Sequence, residues 1–235
     1  MRCNRYAART LAVCAAVALL ASGCASTATP SGDATTTTTT AKVSTVSQVA
    51  AEDEMFTDRD RDASYDESAV AVTLKDNASA CKDKGVSVSG NVVTITKAGT
   101  YRLSGTLTNG RVVVDADKSD KIQLVLDGVT INCDTSAALY VKQADKVFVT
   151  LASGSRNTLS NKKDFVAVDD NNIDAVIFSK EDLTLNGAGA LTVQAAYGHG
   201  IVSKDDLVVT GGTIAVTAAR HALAGKDSVR IADGS

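Results

Sequence analysis

Three stretches of this chain carry one phrase: Ser179-Lys180-Glu181-Asp182-Leu183-Thr184-Leu185, Ser203-Lys204-Asp205-Asp206-Leu207-Val208-Val209 and Gly225-Lys226-Asp227-Ser228-Val229-Arg230-Ile231. Leu183 and Leu207 are 24 residues apart, and Leu207 and Val229 are 22 apart. Self-similarity at this period is the mark of a stacked repeat, in which each unit buries its apolar side only against its neighbours. Period-2 alternation in Ile122 to Leu126 and in Val147 to Leu151 puts two earlier runs in the same column.

Each period holds three short β-rich runs. In one they are Leu183 to Leu185, Leu191 to Val193 and Ile201 to Val202; in the next, Leu207 to Val209, Ile214 to Val216 and Leu223 to Ala224. Runs this short have no partner inside their own period, so each must pair with its counterpart one period along. The expected class is therefore all-β, a parallel β-helix of about 22–25 residues per coil. A leucine-rich repeat of similar period lacks its Leu-x-x-Leu-x-Leu and Asn ladder here. Ser160 to Asp174 lengthens one step and reads as an inserted loop. The last coil stops after its first strand at Ile231, so the solenoid reads as incomplete at the C-terminus.

Four segments follow from the chain's changes of composition. Residues 1–23 combine Arg2, Arg5 and Arg9 with an apolar run, Leu11 to Leu20, as a secretory signal does. Ala21-Ser22-Gly23 before Cys24 resembles a lipobox, which would make Cys24 a lipidated first residue; an ordinary cleavage site is the alternative. Residues 24–51, with Thr35 to Thr40, read as a Ser/Thr-rich tether. Residues 52–84 form an acidic entry segment, and 85–235 the repeat domain. In the entry segment Asp58, Asp60 and Asp62 alternate as in a calcium loop, but Ala63 and Ala69 stand where such a loop needs Gly and a carboxylate. A solvated charged segment is the other reading. The chain is expected outside the cytoplasm, touching membrane only through the lipid.

Losing the three leader arginines takes the formal net charge from −3 to −6. Nucleic-acid binding needs clustered Lys and Arg, so that class is excluded. Aligned on the phrase, Lys142, Lys180, Lys204 and Lys226 form one column. Gln143, Glu181, Asp205 and Asp227 form the next, and Ala144, Asp182, Asp206 and Ser228 the third. Rungs about 4.8 Å apart make stacked carboxylates repel. Either the lysines neutralise them as surface ion pairs, or Glu181, Asp182, Asp205, Asp206 and Asp227 converge on Ca²⁺.

His199 and His221 also share a column, 22 residues apart, with Tyr197 and Arg220 beside them. They serve either as turn residues or, with Lys180, Lys204 and Lys226, as a polar face for sugar hydroxyls. Two His alone are too few for a transition-metal site. Cys81 and Cys133 remain outside the leader, and a disulfide between them is permitted in an exported protein.

Lys97 to Gly105, Ile122 to Val129, Asp170 to Lys180 and His199 to Leu207 resemble the bacterial carbohydrate-binding domain family of right-handed parallel β-helices. The resemblance runs from about Phe56 to the end. It implies a pectate-lyase-like helix that binds Ca²⁺ and associates with cellulose or acidic plant polysaccharide such as pectate. Binding as a monomer, without catalysis, is the expected function. A Ca²⁺-dependent polysaccharide lyase, with Lys204 as base, and a surface adhesin without sugar binding are the alternatives. With no Trp in the chain, a flat aromatic cellulose platform is disfavoured.

Overall fold

The computed structural model describes residues 55–235. The signal peptide, Cys24 and the tether lie outside the described residues. In chain order the elements are α1 (Asp58–Arg61), β1 (Val70–Lys75), β2 (Val86–Ser89), β3 (Val92–Ile95), β4 (Gly99–Leu107), β5 (Arg111–Asp115), β6 (Lys121–Asn132), β7 (Leu139–Gln143) and β8 (Lys146–Leu151). They continue as β9 (Arg156–Asn161), β10 (Ala175–Ser179), β11 (Asp182–Gly187), β12 (Ala190–Ala195), β13 (His199–Ser203), β14 (Asp206–Thr210), β15 (Thr213–Ala218), β16 (Leu223–Gly225) and β17 (Ser228–Asp233).

The described residues are all-β apart from the single turn of α1. Strands pair in parallel with their counterparts in the next repeat, as the short runs required. One file is β4–β6–β8–β11–β14–β17, a second β6–β9–β12–β15, and a third β3–β5–β7–β10–β13–β16. The 12-residue β6 joins the first two files, its first half pairing with β8 and its second with β9. Gly128, at φ +77°, marks the bend between those halves. Among the described strands, only β2 and β3 form an antiparallel hairpin.

Register follows the apolar pattern. Ile122, Val147, Leu183, Leu207 and Val229 are consecutive partners, and the first four are fully buried. Leu139, Ile177, Ile201 and Leu223 form the matching ladder of the third file. Burying each such side chain contributes roughly 1.5–3 kcal/mol, and a one-residue slip would turn the whole row outward.

Three expectations are corrected. Parallel pairing begins before Gly85, because β1 pairs with β4 from Val70↔Tyr101. The third column of the charged phrase is misaligned at its first member. Ser179 pairs with Val141, but Leu183 pairs with Val147, so the corner after Lys142 holds two more residues than the corner after Lys180. Asp182 therefore partners Lys146 rather than Ala144, which is buried in the core. The entry segment is neither a calcium loop nor solvated throughout. Thr57 caps α1 in a capping box with Asp60, whose carboxylate is buried against the outer side of the first file.

Cys81 and Cys133 are both free thiols, not a disulfide. Ala80 bridges Thr73 of β1, and β1, β4 and β6 follow as successive rungs. Three rung spacings, roughly 14 Å, separate the rung of Ala80 from that of β6, which Cys133 follows. That exceeds the reach of a disulfide.

Candidate functional site

The small residue that opens each phrase makes the corner between the third and first files. Ser179 Oγ accepts the amide of Glu181, at 3.2 Å, and Ser203 Oγ that of Asp205, at 3.1 Å. A hydroxyl bonded to the amide two residues on is a local turn device. Both hydroxyls also donate to the Glu181 carbonyl, tying adjacent coils. These turns present the Lys and acid side chains outward.

The five acids do not act as one set. Asp206 forms an ion pair with Arg230 and accepts from Ser228 Oγ at 2.7 Å. Asp182 accepts the Asp206 amide at 3.2 Å. Glu181 and Asp205 have no such anchors, and Asp227 has only its neighbour Lys226, at 3.5 Å. Burial first, then repulsion from Asp182 and hydrogen-bond-range contact with Asp227, pushes the Asp205 carboxyl above its usual range. Burial likewise raises Glu181, with Asp205 and Asp182 opposing Lys180. As ligands for a hard cation the Asp205–Asp227 pair fits in chemistry and charge. Among the described residues no group of three or more His, Cys, Asp or Glu has metal-holding geometry.

The histidines and one of the lysines do come together. His199 and His221 stack with centroids 4.9 Å apart and planes 27° from parallel. The His221 amide donates to His199 Nδ1 at 3.2 Å, which leaves the proton of the neutral ring on Nε2. That edge faces Asp174 Oδ2 at 3.8 Å. Lys204 runs back along the sheet, its Nζ 5.2 Å from the Phe178 ring centre and 4.0 Å from Asp174 Oδ1. Asp174 Oδ1 is buried and accepts no hydrogen bond. Burial lowers the His199 pKa, Asp174 opposes this, and His221 adds to it.

Around this cluster Tyr197 is exposed, and Arg220 anchors its amide on the Gly198 carbonyl at 2.8 Å. Lys226 pairs with neighbouring Asp227 at 3.5 Å, and Lys180 is exposed; neither joins the cluster. Asp174 escaped the sequence reading because it lies at the end of the inserted loop, outside the repeated phrase. Its signal is positional: it immediately precedes Ala175, the register partner of His199.

The inserted loop forms one wall. Phe165 and Ile173 pack onto the outward residues Val113, Tyr140, Phe178 and Val202 of the third file. Tyr140 donates to Asp169 at 2.8 Å and accepts from Asn171 at 2.7 Å. Burial, reinforced by the Asp169 carboxylate, pushes the Tyr140 phenol well above its ordinary range. The result is an outer face with ammonium and guanidinium groups, an imidazole edge and an exposed phenol. Such groups can donate hydrogen bonds to hydroxyls and pair with a carboxylate. The His199 ring is unsuited to free base catalysis, since its Nδ1 lone pair is already bonded.

A family model described as "Carbohydrate-binding domain-containing protein" matches residues 89–235. A curated relative of that description from Acetivibrio thermocellus is 42% identical over 155 residues, covering 65% of this chain and 54% of that protein. The chain thus spans about half the length of that relative. A solved structure described as the polysaccharide lyase-like protein from C. thermocellum, a gadolinium derivative, is similar at 39% identity and a TM-score of 0.66. That match covers 71% of this chain and 68% of the other. The chain, all-β and built of parallel sheets, belongs to the carbohydrate-binding domain-containing protein family.

Proposed function

We propose that this protein binds polysaccharide without cleaving it, and that its ligand is an acidic, uronate-containing chain such as pectate rather than cellulose. The observation that carries this reading is the convergence of Lys204, His199 and His221 around Asp174. Lys204 and Arg220 supply positive charge for a carboxylate. The His199 Nε2 edge and the Lys204 ammonium supply donors for hydroxyls. Tyr197, exposed at the rim, supplies an amphipathic ring.

The finer architecture and setting belong to the same proposal. We read the three files as the walls of a right-handed parallel β-helix, the hand that parallel crossovers favour. Cys24 lipidation would hold this domain at the outer face of a membrane. Ca²⁺ enters at Asp205 and Asp227, where it would relieve the repulsion between their carboxyls. The similar solved structure is a gadolinium derivative. Lanthanide titration is thus a suitable probe, expected to show uptake lost in Asp205→Ala and Asp227→Ala; unchanged uptake in both removes Ca²⁺ from the proposal.

The test of binding is retention of the protein on immobilised polygalacturonate and on cellulose, each with and without Ca²⁺. Retention on polygalacturonate with no ultraviolet-absorbing unsaturated product supports binding alone. Unsaturated product would turn the reading to a lyase, the activity class in the similar structure's description. No retention on either polymer would leave the surface-adhesin reading.

A further inference from the structure

We infer that the outer face of β8, β11 and β14 is a second carboxylate-sugar groove, and that Asp60 occupies it in cis as a stand-in for a uronate residue. The inference rests on the carbohydrate-binding reading. Asp60 is 2% exposed. One of its oxygens, Oδ1, lies 2.8 Å from Lys146 Nζ and accepts from Thr184 Oγ1 at 2.6 Å. The groups around that carboxylate form a continuous polar row across neighbouring strands. Asn186 Nδ2 donates to the carbonyls of Asp60 and Asp62, each at 3.2 Å, and Thr210 Oγ1 donates to the Asp60 carbonyl. Gln123 Nε2 donates to the Ser64 carbonyl at 3.2 Å and to Thr150 Oγ1 at 2.9 Å.

A uronate unit offers what the strap offers: one carboxylate with several oxygens around it. The ammonium and hydroxyl that hold Asp60 would hold the sugar carboxylate. The Asn186 and Thr210 donors would take its hydroxyl and ring oxygens, and Phe148, now under the Arg59 guanidinium at 4.6 Å, would meet its ring face. Within the described part of the strap, from Met55 to Ser68, Phe56 is the only large apolar side chain that is buried; Met55 and Tyr65 are exposed. Attachment is thus mainly polar, and an incoming ligand can replace most of it. A site blocked by its own chain binds with an affinity reduced by the fraction of time the block is released. Loosening the strap should therefore tighten ligand binding.

The test compares the full chain with Asp60→Asn, Arg59→Ala and Asp60→Asn/Lys146→Gln for affinity to oligogalacturonate, after circular dichroism has confirmed folding of each. Arg59→Ala loosens the strap without touching the Lys146 pocket, and so stands in should Asp60→Asn fail to fold. The loosened variants are expected to bind about tenfold more tightly, and the Lys146 substitution to cancel the gain. Saturating the wild type with oligogalacturonate should also release amide-exchange protection at residues 57–66. Wild-type binding with the strap still protected and no gain in either loosened variant overturns this inference alone. No binding by any variant overturns it together with the proposed function.

Discussion

The rings of His199 and His221, 22 residues apart in sequence, stack 4.9 Å apart because their strands start on adjacent rungs. The lower ring is pinned on both edges, by the His221 amide on Nδ1 and by the Asp174 carboxylate facing Nε2. Burial makes the charged ring costly there, and the Asp174 carboxylate offsets part of that cost. His199 should titrate below its ordinary value, and Asp174→Asn should lower it further. Imidazole chemical shifts followed against pH in both proteins check this; an upward move in Asp174→Asn would refute the assignment.

Asp60 links pH to stability. Burial alone would raise its pKa, but the Lys146 ammonium, Thr184 and Thr57 outweigh burial and hold it at about 2 against an ordinary 3.8. A depressed folded-state pKa means stability that is present above the unfolded value and lost as pH falls through the folded one. Asp60 should therefore contribute about 2 kcal/mol at neutral pH, lost between roughly pH 4 and pH 2. Urea unfolding across that range should show a shallower acid-side loss in Asp60→Asn than in wild type.

The column Ile122–Val147–Leu183–Leu207 should behave as one core. Leu207→Ala removes a fully buried side chain between two rungs and is expected to cost about 2–5 kcal/mol. Thr130→Ala, at an exposed outward position of β6, should cost well under half as much. Denaturant midpoints of the two variants give the comparison.

Two glycines at bends should differ in their tolerance of a methyl group. Gly187 sits at φ +99°, and a Cβ there would lie 2.3 Å from the Leu151 carbonyl oxygen on the neighbouring rung. Gly128 sits at φ +77° with nothing within 4 Å of a Cβ. Gly128→Ala carries backbone strain alone, about 1–2 kcal/mol. Gly187→Ala adds a clash with backbone and should lower the melting temperature substantially further.

The repeated phrase made much of the fold legible because inward apolar residues recur at one position per rung, and register follows directly. Ile122, Val147, Leu183, Leu207 and Val229 do stand in one row. The charged half was less legible, since corner length is free to vary. Two extra residues after Lys142 put Lys146, not Ala144, beside Asp182. The segment around Asp60 was hidden for another reason. Its alternating acids and arginines read as solvent-facing, but their partners Lys146, Thr184 and Gln123 lie far along the chain and leave no local pattern. Asp174 was missed likewise, because an inserted loop brings it to His199 from outside the repeat.

The central claim is that Lys204 and the stacked histidines on Asp174 hold an acidic polysaccharide. Calorimetric titration of oligogalacturonate into wild type, Lys204→Gln and His199→Ala tests it most directly, with thermal unfolding as a check that each variant is intact. The account predicts that both substitutions weaken binding at least about tenfold, the loss of one charge-assisted hydrogen bond or more, while the melting temperature moves little in Lys204→Gln. Wild-type affinity retained in both folded variants would contradict it.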